Sequence, residues 1–166
     1  MTMNIPSTPQ IVELAEKPRV LYLDDDDANL VTFRANFRDQ FDVYTSNNPV
    51  VAYNLINEHR IQIVITDHNM PSMSGVEFLE SIASDYPAVQ RILLTGYTEL
   101  IPIMEAVNKG QVFRILSKPF NMKEISKMVT EAWTQCRVMF EKDKLIHQLQ
   151  RQNQQFEFIL RQRLLS

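Results

Sequence analysis

Short β-rich apolar runs alternate with helical patterns through the middle of this chain. That alternation predicts an α/β fold, a doubly wound five-stranded parallel sheet with helices on both faces and a long C-terminal helix. Two further observations support it. The three strongest strand candidates, VLYL (20–23), IVIT (63–66) and ILLT (92–95), are nearly continuous apolar runs, as strands buried on both faces should be. Polar and ionisable residues stand at the carboxyl ends of these runs, where open parallel sheets place their ligands.

The elements follow in order. Arg19–Leu23 is the first predicted strand, and Asn29–Arg38 the first helix. Phe41–Thr45 alternates apolar with polar residues and is the edge-strand candidate, followed by a helix over Pro49–Glu58. Ile61–Thr66 is the third strand and Val76–Tyr86 its helix. Gln90–Thr95 and Val112–Ser117 complete the sheet, separated by a helix over Ile101–Asn108 that Asn108-Lys109-Gly110 would cap. The last helix starts near Met122, where Asn121 and Glu124 read as a capping box. No Pro or Gly follows Pro119, so the pattern has no evident stop.

Composition excludes several classes. With 45% hydrophobic and 22% charged residues the chain matches globular usage, not collagen, mucin or wholly disordered sequence. A net charge of −3 argues against a nucleic-acid surface over the whole chain, and no direct nucleic-acid contact is expected. No apolar run approaches the roughly 20 residues of a membrane span, and Met1 to Lys17 lacks the pattern of a secretory signal. Cys136 is the only cysteine, which excludes an internal disulfide and a cysteine-cluster metal site. The expected compartment is reducing, hence cytoplasmic.

Three parts are expected: a flexible leader over 1–17, a compact domain over 18–133, and over 134–166 a helical coiled-coil extension or a linker to an output module. The extension carries six Lys/Arg against three acids and is rich in Gln, whereas the first 133 residues are net acidic. An alternating four–three spacing selects Val138, Lys142, Leu145, Leu149, Gln152, Phe156, Ile159 and Arg163, of which five are apolar. That supports a short coiled coil with polar interruptions, and a homodimer through the C-terminal helix.

The strand ends deliver Asp24 and Asp25, Asp67, Thr95 and Lys118. Three converging carboxylates repel one another unless a cation compensates, and oxygen ligands suit Mg²⁺. An aspartate can act as a nucleophile to form an aspartyl-phosphate, a lysine can neutralise a phosphoryl group, and a threonine hydroxyl can donate to it. The assembly suits a phosphoryl group held on a carboxylate. Singly, each residue has an ordinary reading: Asp27 as a cap or turn residue, Asp67 as a turn residue, Lys118 as surface.

Together, RVLYLDDDDANL, IVITDHNMPSMSGVEFL, RILLTGY and FRILSKPF resemble the receiver domain of two-component response regulators, over about Pro18 to Trp133. The resemblance implies a flavodoxin-like sheet of order 2-1-3-4-5. It also implies a signalling phosphoacceptor rather than a turnover enzyme. Asp67 would accept the phosphoryl group from a histidine kinase or phosphotransfer protein. Asp24, Asp25 and Asp67, with the backbone carbonyl of Asn69, would hold Mg²⁺. Thr95 would be the switch hydroxyl and Lys118 the phosphoryl-binding lysine, and the Lys118–Pro119 bond is usually cis in the family. The state would pass through the C-terminal helix to an output domain or partner.

Receivers commonly have Tyr or Phe three residues before the lysine, as a rotating switch. Here Ile115 stands there and the nearest aromatic is Phe113. His68, Asn69 and Tyr97 occupy positions that vary among receivers and would tune the phosphoryl lifetime. His59 and His147 read as structural or surface residues, and Cys136 as a small apolar contact. Two other functions compete. A Mg²⁺-dependent phosphatase with an aspartyl nucleophile would want an aspartate where Asn69 stands. A phosphorylation-independent pseudo-receiver dimer is disfavoured because no key residue is missing.

Overall fold

The computed structural model describes residues 16–96, 103–104 and 114–166. The expected leader, apart from its last two residues, and the C-cap at 108–110 lie outside these. So do Tyr97, Val112, Phe113 and the expected fourth helix except Ile103 and Met104. Five strands form one parallel sheet: β1 (Arg19–Leu23), β2 (Asp42–Ser46), β3 (Ile63–Asp67), β4 (Gln90–Gly96) and β5 (Arg114–Lys118). Their order is β2-β1-β3-β4-β5, so β2 is an edge, as its alternating sequence predicts, and β5 is the other. Helices α1 (Asp27–Phe37), α2 (Pro49–Glu58) and α3 (Gly75–Ala83) and a C-terminal helix (Met122–Leu164) complete the described elements.

Each helix begins where a side chain accepts from its unsatisfied first-turn N–H groups. Asp26 caps α1 by accepting from the Ala28 N–H, and Asp27 is the first helical residue. This corrects the reading of Asp27 as the cap. Asn48 caps α2 ahead of Pro49, whose missing N–H costs nothing at that position. Ser74 with Glu77, and Asn121 with Glu124, form reciprocal capping boxes.

Period-two alternation splits the strand side chains between two cores. Val20 and Tyr22, Ile63 and Ile65, and Ile92 and Leu94 face α1 and the C-terminal helix, where they meet Phe33, Phe37, Ile125, Val129 and Ala132. Leu21 and Leu23, Val64 and Leu93 face α2 and α3, where they meet Ala52, Ile56, Phe78, Leu79 and Ile82. Each Val, Leu, Ile or Phe among them contributes roughly 1.5–3 kcal/mol on full burial.

The C-terminal helix runs through 43 residues without a break at 133. Its buried residues are Ile125, Val129, Ala132 and Cys136. The contact with the sheet therefore extends past the expected boundary at 133. The Cys136 thiol donates to the Gln62 carbonyl, and the Gln90 amide to the Met139 sulfur. Val138, Leu145, Leu149, Phe156 and Ile159 are all exposed. Ile146 and Leu160, one position after Leu145 and Ile159, are exposed too, so the free apolar face is wider than the single expected seam.

Candidate functional site

Strands β1 and β3 lie side by side at the point where the sheet order reverses, and the crevice beyond their carboxyl ends is where such sheets bind ligands. Leu23 pairs with Thr66, so Asp24 and Asp67 emerge side by side from adjacent strands. Asp25 follows Asp24, and one oxygen from each of the three carboxylates lies within 4.8 Å of the others. Asp24 is 2% and Asp67 5% exposed, while Asp25 faces solvent.

Across the crevice, Gly96 pairs with Lys118 at the ends of β4 and β5. Lys118 Nζ reaches Asp67 Oδ1 at 2.5 Å. The other Asp67 oxygen accepts the backbone N–H of Asn69 at 3.1 Å. Asp67 is thus held as a charge-assisted acceptor on both oxygens. Thr95, next after the Leu94 that pairs with Asp67, is buried at the same end of the sheet. The Lys118–Pro119 bond is cis. All the sequence-predicted site residues therefore gather at one end of the sheet: Asp24, Asp25, Asp67, Asn69, Thr95 and Lys118.

The loop after Asp67 is clamped at both ends. The His68 N–H donates to the Leu94 carbonyl at 2.9 Å, and its carbonyl accepts from the Gly75 N–H at 2.9 Å. Gly75 is required here by close approach. A Cβ at this position would lie 2.3 Å from the Asp67 carbonyl oxygen and 2.8 Å from Leu93 Cδ1. The Met-Pro-x-x-x-Gly spacing thus serves to return α3 directly beneath Asp67.

The pocket's rim holds residues that the sequence reading did not single out. Asp24 Oδ1 accepts the Asp26 N–H at 2.9 Å, and Oδ2 accepts both the Asn29 side-chain amide at 3.0 Å and the Tyr22 hydroxyl. Desolvation by burial, followed by the bond to Asp24, pushes the Tyr22 phenol far above its ordinary range. The Tyr22 hydroxyl is the donor in this bond. Its period-two placement on β1 was the available signal. Ile115 packs, half-buried, against the α2–α3 core.

The donor set consists of oxygen atoms, with two buried carboxylates and one exposed, and suits a small hard cation such as Mg²⁺. Sheet order and the acidic pocket at the switch point together define a flavodoxin-like domain. The chain belongs to the response regulator receiver domain family, whose model matches residues 20–130. Receiver domains are signalling phosphoacceptors that bind Mg²⁺ at an acidic pocket and interact with histidine kinases or phosphotransfer proteins.

Among curated relatives, the hydrogenase transcriptional regulatory protein HoxA of Cupriavidus necator is 27% identical over 113 residues, 68% of this chain and 23% of that protein. The chain thus spans about a quarter of the length of such relatives. A solved structure described as adenylate cyclase from Rhodopirellula baltica superposes with a TM-score of 0.74 at 32% identity, covering 78% of this chain and 97% of that one. A response regulator receiver domain protein from Clostridium thermocellum superposes with a TM-score of 0.68 at 26% identity, covering 74% and 98%. Among the described residues, no helix is long and apolar enough to cross a membrane.

Proposed function

We propose that this protein is a phosphorylation-controlled switch in which Asp67 accepts a phosphoryl group from the phosphohistidine of a kinase or phosphotransfer protein. An Asp67 carboxylate oxygen attacks phosphorus, the P–N bond breaks, and the imidazole leaves with the pair of electrons. Asp24, Asp25 and Asp67, with the Asn69 carbonyl, would hold Mg²⁺, which supplies positive charge for the phosphoryl oxygens. Lys118 moves its charge from the Asp67 carboxylate to the phosphoryl group. The Thr95 hydroxyl donates to a phosphoryl oxygen and so registers its arrival. The observation that carries the reading is the Lys118–Asp67 ion pair beside Asp24 and Asp25. Asn69 in place of an acid/base aspartate weighs against a phosphatase.

Residues 18–133 form the receiver in this reading, and 134–166 the helical extension. The exposed apolar face of that extension supports a homodimer that passes the phosphorylation state to an output domain or partner in the cytoplasm. Acetyl phosphate or beryllofluoride with Mg²⁺ is expected to modify the wild-type chain and to leave Asp67→Asn unaltered, as read by intact mass and hydrogen exchange. Equal modification of Asp67→Asn would overturn the assignment.

A further inference from the structure

Among the described residues, Tyr22 is the aromatic residue whose hydroxyl bonds to a carboxylate of the acidic pocket. Its ring is buried on the α1 face of the sheet, 4.4 Å from the Phe33 ring. Phe33 lies 4.7 Å from Phe37, and Phe37 5.5 Å from Phe41, continuing the row away from the site. For packing alone phenylalanine would serve at 22, as it does at 33, 37 and 41. A hydroxyl there must be desolvated, and only a strong acceptor offsets that cost. Asp24 Oδ2 is that acceptor, and Asn29 donates to the same oxygen at 3.0 Å.

Resting on the metal-pocket reading above, we propose that Tyr22 is a positioning residue for divalent-cation binding, its hydroxyl acting with the Asn29 amide to fix the Asp24 carboxylate beside Asp25 and Asp67. A buried carboxylate close to two others tends to rotate away from them. Hydrogen bonds from Tyr22, Asn29 and the Asp26 N–H oppose that rotation, because they hold both oxygens and restrict the side-chain torsion. Partners of this kind, one bond removed from a cation, typically change its affinity by about 10–100-fold when lost.

Calorimetric titration of the full chain with Mg²⁺ alone tests this. Tyr22→Phe keeps the ring in its aromatic row and is expected to raise the Mg²⁺ dissociation constant about tenfold. Its thermal unfolding midpoint in EDTA is expected to stay within about 4 °C of wild type. A purely structural bond would show the reverse, a lowered midpoint with unchanged Mg²⁺ affinity of the folded chain, and that result overturns the inference. Should Tyr22→Phe fail to fold, Asn29→Ala decides instead. Asn29 is exposed, and its replacement is expected to weaken Mg²⁺ binding severalfold, whereas unchanged affinity overturns the role of donors to Oδ2. A wild-type chain with no Mg²⁺ isotherm overturns the pocket reading itself. Wild-type binding that Tyr22→Phe leaves intact overturns the Tyr22 inference alone.

Discussion

The C-terminal helix contains two stretches with the same backbone conformation and different surroundings. In the first, Ile125, Val129, Ala132 and Cys136 repeat at four–three–four spacing and are buried against the sheet. Arg114 forms an ion pair with Glu131, and the Ser126 hydroxyl donates to the Gln40 side chain at 2.7 Å, so this stretch is tied to β5 and to the end of α1. In the second, from 137 to 164, none of the residues is buried. Yet the same periodicity continues: Met139, Ile146 and Leu160 extend the docked stripe in phase, and Val138, Leu145, Leu149, Phe156 and Ile159 form a row beside it. An apolar stripe therefore shows that a helix wants a partner and leaves open which surface supplies it. The first stretch has the receiver's own sheet. For the second, a helix exposing so much apolar surface would be marginal alone in water.

Two isoleucines on the one helix make the comparison quantitative, and the largest effect is expected here. Ile125 is 5% and Ile159 53% exposed. Ile125→Ala is expected to cost about 2–5 kcal/mol, the transfer term plus the cavity left behind. Ile159→Ala is expected to change the stability of the dilute chain by under about 0.5 kcal/mol. Urea unfolding at low protein concentration measures both. A large loss from Ile159→Ala under those conditions would mean that the second stretch packs within its own chain, and the contrast would fail.

Removing the second stretch should alter assembly more than folding. A chain ending at Phe140 keeps Cys136 and Met139 on the sheet, which an end at 133 would not. By light scattering the full chain is expected to be a dimer and the shortened chain a monomer, with similar urea midpoints at low concentration. Each stripe residue would contribute roughly 1.5–3 kcal/mol if fully buried between copies. Lys142, Gln152 and Arg163 interrupt the seam, so the dimer should dissociate on dilution. A monomer in both cases, with and without beryllofluoride, would leave the second stretch as a linker. An assembly larger than a dimer would show that the wider face, with Ile146 and Leu160, builds a bundle.

The difference between the two stretches also explains what could be read from the sequence. Strands such as VLYL and IVIT were legible because burial on both faces leaves a continuous apolar run, and their ends located Asp24 and Asp67 without further information. Lys118 and Thr95 were legible from the Lys-Pro and Thr-Gly contexts that resemble receivers. The reach of the docked stretch past 133 was not, because Cys136 and Met139 look the same in sequence whether or not a sheet lies beneath them. The role of Tyr22 was also hidden. Alternation places a β1 side chain on a face, but which atom its hydroxyl meets depends on the turn at Asp24–Asp26 and on Asn29. The Asp26 cap was missed for a similar reason: in a run of four aspartates, spacing alone does not say which one accepts the helix N–H.

Cys136 is the last buried residue of the docked stretch, and its thiol marks the point where the two stretches part. Burial pushes its pKa up from 9.0 to about 11, against a smaller opposing effect of a backbone hydrogen bond at Gln90. Since the thiolate is the reactive form, the shift alone should slow alkylation near pH 8 by roughly a hundredfold. A cysteine in the free stretch, Gln154→Cys in a Cys136→Ala background, is expected to react at the rate of an ordinary exposed thiol. The same shift has a sign in stability. The unfolded thiol ionises first, so the contribution of the neutral folded form is complete below pH 9.0 and is lost as the pH rises through about 11. Wild type should therefore lose more stability than Cys136→Ala between pH 8 and 10.5, measured as the difference in urea midpoints. Equal alkylation rates at the two positions would mean that the helix peels away from the sheet well before 136, and that the docked stretch is shorter than its burial indicates.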